Sequence, residues 1–280
     1  MLIGAHVSSA GGIDTAVDRA EDLKLDALQL FTQSPRTWRT TNHADEALDR
    51  FCARRAEIGL GSVVCHATYL INLASLDEAL YERSIDALVR TTEIATRIEA
   101  DGVVIHVGSH LGAGLDAVLD RVASGLRHGL AACGDRTRIL LENSAGAGGT
   151  IGRSLAELET IDNALGSPDA LGLCLDSCHL WVSGIDVTSP PVVEALAHEV
   201  DSGFGLERLH CLHINDAVAA LASNKDRHAN IGEGEMGDAL GKFLCHPSFR
   251  ELPAILETPG AKGRGPDAEQ VSRLRALAPD

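Results

Sequence analysis

Aromatic side chains are scarce in this chain. Only 3% of its 280 residues are Phe, Trp or Tyr, so the core must be built mostly from Ala, Leu, Val and Ile. Long apolar runs are absent as well. None approaches the roughly 20 residues of a membrane helix. The start, Met1-Leu2-Ile3-Gly4-Ala5-His6, lacks the basic and apolar regions of a signal peptide. A soluble, cytoplasmic protein with no membrane partner is expected. Positive charge is in deficit. The net charge of −16 argues against a generic nucleic-acid binder, though it excludes little for an enzyme that meets phosphate with metals and a few arginines. Lysine is rare: 20 of the 24 basic residues are Arg, the better phosphate fork. A disulfide framework is not indicated. The cysteines number seven, and Cys65, Cys174 and Cys211 lie inside apolar runs, as reduced buried thiols do. Cys174 and Cys178 flank Asp176 and precede His179, yet Cys174 falls inside its strand, short of the open end where a metal would fit.

What is present is a repeated pattern of apolar runs ending in a polar group. Ile139-Leu140-Leu141 runs into Glu142-Asn143-Ser144-Ala145-Gly146. Val63-Val64-Cys65-His66, Val103-Val104-Ile105-His106, Leu173-Cys174-Leu175-Asp176, Leu212-His213 and Ile255-Leu256-Glu257 end the same way. Runs apolar on both faces suit strands buried on both sides. In a parallel barrel, their ends converge on one cavity.

The chain alternates strand and helix throughout. Strands are predicted over 2–7, 27–32, 62–67, 102–107, 138–143, 171–176, 209–215 and 253–258. Helices are predicted over about 13–24, 44–58, 76–99 and 115–133, from Ser154 onward, up to about Val200, and over 236–244 and 268–277. Ser75-Leu76-Asp77-Glu78 and Ser154-Leu155-Ala156-Glu157 have the form of capping boxes. Trp181 is assigned to a loop, and a long loop follows the seventh strand as far as Glu235. Eight such units in this length predict a TIM-like (β/α)8 barrel, a single domain spanning 1–280, with binding loops at the C-terminal face.

Six strand ends offer His66, His106, Glu142, Asp176, His213 and Glu257. His179 stands just past Asp176, and Asp226-Arg227-His228 lies on the long loop. Taken singly each is weak, since a lone barrel histidine is more often a hydrogen-bonded structural residue. Together they are harder to dismiss. Nine ionisable groups around one cavity would cost on the order of several kcal/mol each in desolvation and repulsion. Basic partners are missing at those positions. More than one divalent cation is therefore expected. Ala145-Gly146-Ala147-Gly148-Gly149-Thr150 is not a nucleotide loop, for Ile151 stands where a dinucleotide fingerprint needs glycine and the loop has no Gly-Lys pair. A flexible loop is expected there.

Several segments resemble the endonuclease IV family of apurinic/apyrimidinic endonucleases. They are Gly4-Ala5-His6-Val7-Ser8, His66 to Leu73, His106-Val107-Gly108-Ser109-His110, Leu141 to Gly146, Leu175 to His179, His213-Ile214-Asn215-Asp216, Asp226-Arg227-His228 with Gly232-Glu233-Gly234, and Leu256-Glu257-Thr258. The resemblance runs from residue 1 to about 260 in the family's order. It implies three zinc ions. His66, His106 and Glu142 would hold the first. Glu142, as the bridging and central catalytic group, would hold the second with Asp176, His213 and Glu257. His179, Asp226 and His228 would hold the third. It implies hydrolysis of the phosphodiester 5′ to an abasic site in double-stranded DNA, leaving a 3′-hydroxyl, in base excision repair. It also implies a monomer that is nucleoid-associated when on DNA. Val107 departs from a common family proline, which could alter the loop after the fourth strand.

Arg36, Tyr69 and Leu70 match residues that the family inserts into DNA at the flipped-out site. Wedges and stacking rings suit that task, although loop packing is the ordinary role for such residues. His6, His110 and Asn143 are expected to orient ligands. Two rivals remain. One is a sugar isomerase or epimerase on a similar barrel, holding Mn or Mg. The surplus imidazoles speak against it, since harder ions prefer oxygen ligands. The other is a non-catalytic barrel that binds damaged DNA, which would be expected to have lost ligands.

Overall fold

Every apolar run becomes a strand. The computed structural model describes residues 1–278. Its strands are β1 (Leu2–His6), β2 (Ala27–Phe31), β3 (Ser62–His66), β4 (Gly102–Ile105), β5 (Arg138–Glu142), β6 (Leu171–Asp176), β7 (Leu209–Ile214), β8 (Asp216–Ala217), β9 (His228–Ala229) and β10 (Pro253–Leu256). Eight of them, in the order β1-β10-β7-β6-β5-β4-β3-β2, close a parallel barrel. The remaining two, β8 and β9, pair antiparallel as a hairpin within the long loop after β7. The helices are α1 (Thr15–Asp22), α2 (Asp45–Glu57), α3 (Glu78–Arg97), α4 (Leu115–Ala131), α5 (Leu155–Leu165), α6 (Ser177–Ser183), α7 (Pro190–Gly203), α8 (Gly241–Leu244) and α9 (Ala268–Leu277). No described helix is long and apolar enough to cross a membrane.

Alternation along the strands divides the apolar residues into two cores. Outward positions such as Leu28, Leu30, Val63, Val103, Ile105 and Leu141 join the core shared with the helices. Burying each such side chain stabilises by roughly 1.5–3 kcal/mol. Inward positions form a second, smaller cluster of Ala27, Val64, Val104, Leu140, Cys174, Cys211 and Ile255. The remaining barrel strand, β1, contributes Gly4 at this level. A Cβ there would lie 2.4 Å from Ile255 Cδ1 and 2.9 Å from Ala27 Cβ, so glycine is what lets the barrel close around Ile255.

Three local expectations are corrected. Helix α3 starts at Glu78 rather than Leu76, because Asp77 takes the cap and accepts a hydrogen bond from Leu80 N. Asp77 N–H itself donates to Ser75 Oγ, and Leu76 is left exposed. Trp181 lies in α6, not in a loop, since Asp176 caps that helix by accepting from His179 N. The segment 236–244 divides into a 3-10 turn, Gly237–Leu240, followed by α8. At Ser154 the N-cap forms as expected, but the reciprocal half of the box is shifted to the two residues before it. Ser154 Oγ accepts from Glu157 N, and Glu157 reaches back to Gly152 N and Arg153 N.

Candidate metal centre

Two residues beyond the apolar inward layer, each of the eight barrel strands presents another inward position at or just past its end. These positions are His6, Gln29, His66, His106, Glu142, Asp176, His213 and Glu257. The period of two that makes the layer below apolar thus makes a complete polar ring above it. Above the ring, α6 supplies His179, while the loop and hairpin after β7 supply Asp226 and His228.

Glu142 is at the centre and fully buried. Its Oε2 lies 3.3 Å from His66 Nε2 and 3.1 Å from His106 Nε2. Its Oε1 lies 2.9 Å from His213 Nδ1 and 3.4 Å from His179 Nδ1. Glu257 Oε2 is 3.4 Å from His213 Nδ1. Asp226 faces His179 Nε2 at 3.4 Å and His228 Nε2 at 3.2 Å. Five groups bring their donor atoms within 4.8 Å of one another, and three of them use only imidazoles and carboxylates: His66, His106 and Glu142; Glu142, Asp176, His213 and Glu257; and His179, Asp226 and His228; a fourth joins the Cys178 thiol to Asp176 and His228. All nine residues singled out in the sequence fall in the three imidazole and carboxylate sets. Cys174 and Cys211 also approach His213 within 4.8 Å, but they belong to the apolar layer beneath the ring, and burial keeps the Cys174 thiol protonated.

The donor set fits metal ions. Four of the imidazoles have one nitrogen occupied, leaving the other turned inward. His66 Nδ1 donates to Ala67 O (2.7 Å), His179 Nδ1 to Asn143 O (3.0 Å) and His228 Nδ1 to Glu257 O (3.4 Å), while His213 Nε2 meets Gln29 Oε1 (2.7 Å). Outer partners of this kind fix the tautomer of metal-binding histidines. Two inward atoms, Glu142 Oε2 and His228 Nε2, are buried without a hydrogen-bond partner, which leaves them available as ligands. Among the described residues, Glu142, Asp176, Asp226 and Glu257 form ion pairs only with histidines.

Charge in the cluster is correspondingly displaced. Burial works to raise Glu142, but His106, His213 and His179 hold its carboxyl well below the ordinary carboxylate value. Glu257 and Asp226 are lowered in the same way, against burial, by the imidazoles beside them. Burial pushes His106 down to about 4. Burial also opposes charge on His228, yet Asp226 and Asp176 raise it to about 9. Protein stripped of divalent cations should therefore show a narrow stability optimum. The His228 contribution is complete below about 6.5, its unfolded value, and is lost as pH rises toward 9. The carboxylate contribution is complete above about 4.5 and is lost as pH falls. Calorimetry in chelator should place the highest Tm between those limits, with a fall of several degrees by pH 9. A Tm that stays level from pH 6.5 to 9 would exclude the His228–Asp226 pairing.

Of the ligand-orienting residues expected, His6 and Asn143 reach the cluster. His6 Nδ1 lies 3.5 Å from Glu257, and Asn143 Oδ1 accepts from Asp176 N at 2.7 Å. His110 does not. Its Nδ1 accepts from Gly112 N and Gly114 N, shaping its own loop. Sequence reasoning missed three polar residues. Gln29 completes the ring. Asn215 donates to Asp176 Oδ2 (2.6 Å) and accepts from Glu257 N (2.9 Å). Asp216, fully buried, accepts from the backbone N–H of Ala217, Gly234, Met236 and Gly237. The available signal was polarity at a buried strand parity: Gln29 interrupts Ala27-Leu28-Gln29-Leu30, and Asn215-Asp216 follows His213 after the single residue Ile214.

The open end is flanked by two clefts. One, of about 900 Å³, is lined by Ser8, Ser9, Arg36 and Arg264. The other, of about 520 Å³, opens onto His106, His179 and Asp226 and is lined by Tyr69 and Leu70. Tyr69 is 56% exposed and stands edge-on to Phe31 and His66. The glycine loop is not loose as expected. It is tied to the loop after β4 by His110 N to Gly149 O, Ser109 Oγ to Gly148 O and Ile151 N to Gly108 O. Val107 is buried there, and its carbonyl accepts from Leu73 N.

Comparison with known proteins follows the same lines. Residues 17–277 match the family described as xylose isomerase-like TIM barrel. A probable endonuclease 4 of Halothermothrix orenii is 37% identical over 98% of this chain and 99% of its own length. The crystal structure of endonuclease IV from Thermus thermophilus superposes with a TM-score of 0.87 at 33% identity, covering 99% of this chain and 98% of that one. A D-tagatose 3-epimerase-like protein shares the fold with a TM-score of 0.74 at 19% identity, covering 99% and 97% of the two chains.

Proposed function

The chain belongs to the endonuclease IV family, within the xylose isomerase-like TIM barrels, and from this we propose that it hydrolyses the phosphodiester 5′ to abasic sites in duplex DNA, leaving a 3′-hydroxyl. The observation that carries the reading is the trio of donor sets, two of which share Glu142. His66, His106 and Glu142 would hold one zinc, Glu142, Asp176, His213 and Glu257 a second, and His179, Asp226 and His228 a third. Zinc bound there would supply a nucleophile at neutral pH and neutralise charge developing on the phosphate.

The protein's own groups do the rest. Imidazoles tied at one nitrogen keep the other aimed inward, so no reorganisation is needed when a substrate arrives. Asn215 and Asn143 hold the Asp176 and Glu257 segments in register. Arg36, Tyr69 and Leu70 line the clefts and are the residues that would enter DNA beside the extruded sugar. An abasic nucleotide lacks the stacking that resists extrusion, which favours it over intact DNA. The acidic net charge is not an obstacle, because of where the cations stand. Exposed Arg36, Arg39, Arg153, Lys225, Arg227, Lys262 and Arg264, on loops of the open end, form no ion pair among the described residues. Several cations on the helices, Arg50, Arg54 and Arg121, are paired, while Arg83, Arg90, Arg127 and Lys242, also on helices, are exposed and form no ion pair among the described residues. The unpaired set on the open-end loops can track phosphates. We place the enzyme in the cytoplasm, on the nucleoid when bound, as a monomer.

A sugar isomerase would use the same barrel, but five imidazoles among the donors favour zinc over the hard ions of that chemistry. A non-catalytic DNA-binding barrel would not need three intact donor sets. The test is elemental analysis with an incision assay. Near three zincs per chain and a nick 5′ to an abasic analogue support the proposal, whereas a single Mn or Mg, or turnover of a ketose, would overturn it. Tyr69→Ala should weaken binding to abasic duplex roughly 10-fold, as expected for loss of one stacking ring, with zinc content unchanged. Equal affinity in a gel-shift titration would remove Tyr69 from the DNA contact.

A further inference from the structure

Seven of the eight positions in the polar ring are histidines or carboxylates, and Gln29 is the exception. Its strand, β2, supplies no donor to any of the three sets. The side chain is nevertheless completely buried. Its amide makes three short contacts. Nε2 donates to Glu257 Oε1 at 2.6 Å and faces His6 Nδ1 at 2.9 Å, while Oε1 meets His213 Nε2 at 2.7 Å. The orientation is determined by chemistry. The Glu257 carboxylate only accepts, so the amide group facing it must be the NH2. The amide oxygen then faces His213 Nε2, which must carry the hydrogen. His213 Nδ1 is the nitrogen turned toward Glu142 and Glu257; without an ion it carries a hydrogen shared with those carboxylates, and it is the atom that loses its hydrogen when a metal binds. Because Glu257 Oε1 is engaged, Oε2 is the oxygen turned toward His213.

We infer that Gln29 is a positioning residue dedicated to one of the three ion sites, the one formed by Glu142, Asp176, His213 and Glu257. One amide sets the tautomer of His213 and the rotamer of Glu257 together. Its hydrogen bonds reach no member of the other two sets. The inference rests on the metal reading of the cluster. It goes beyond that reading in assigning to a residue that binds no ion the relative affinity of one site among three.

The experiment compares wild type with Gln29→Met, which keeps the length of the side chain and removes all three bonds. Purified protein is dialysed against a graded series of chelator concentrations, and zinc per chain is measured at each step. Loss of an outer partner typically costs 10–100-fold in metal affinity. One zinc should leave the variant at chelator activity lower by that factor, with the other two leaving as in wild type. Refilling of the same site by added zinc should restore the wild-type count. Retention of all zincs at wild-type affinity would overturn the inference, and so would equal weakening of all three, which is what a merely structural role gives. If Gln29→Met does not fold, Gln29→Ala removes the same bonds without bulk and carries the same expectation. A wild-type protein that holds no zinc in the first step would instead bring down the metal reading itself, and this inference with it.

Discussion

Glu142→Ala is expected to abolish incision while the barrel stands. Glu142 belongs to two donor sets at once, so its removal takes a ligand from both and the bridge between them. The loss should exceed the 10–100-fold cost of an outer partner and reach at least about 10³-fold in single-turnover cleavage of abasic duplex. The set of His179, Asp226 and His228 is untouched by the change, so about one zinc per chain should remain. The fold should survive because the side chain removed lies in the polar ring, not in the apolar layer beneath it. A variant that nicks abasic DNA at the wild-type rate would show that Glu142 is not central. One that retains all its zinc would show that it bridges nothing.

Asp216→Ala is expected to have the largest effect on stability. A buried carboxylate accepting four backbone N–H bonds at 2.8–3.1 Å gathers two distant segments, β8 and the Gly234–Gly237 turn. Removing it leaves buried donors without partners, at roughly 1–3 kcal/mol for each that water cannot reach. A total loss on the order of 4 kcal/mol is expected in urea unfolding. The hairpin of β8 and β9 carries His228 and anchors the segment holding Asp226, so zinc content should drop by one even where the protein remains folded. Wild-type stability with full zinc occupancy would mean that the turn is held by other contacts.

The barrel was legible because a fully buried parallel strand announces itself as an apolar run, and its end as the first polar residue. That rule located His66, His106, Glu142, Asp176, His213 and Glu257 at once. It passed over Gln29 because Gln29 sits inside its run, with Leu30 and Phe31 following. Parity, not position at the end, marks it as inward. Helix α6 escaped notice because it is seven residues long and its cap, Asp176, was already assigned to the cluster. The β8–β9 hairpin was illegible for a different reason. Its two-residue strands carry no alternation, and Asp216 holds them through backbone groups that any sequence would provide. Ser75 reads as a cap, but Asp77, two residues later, competes for the same role and wins it by accepting from Leu80 N.

The seam of the barrel has a consequence for how the protein is made. Strand β1 hydrogen-bonds to β10, pairing Leu2 with Pro253 and Gly4 with Ile255, and Glu257 lies just beyond that last strand. Contacts this remote in sequence form late. During translation the opening residues leave the ribosome long before their partner is synthesised. They wait with unpaired edges that invite association with other chains. On the proposed ligand set, the metal centre lacks Glu257 until the final strand docks. Cutting power would then arrive only once β10 has docked, and a chain interrupted before that strand would carry no capacity to break DNA.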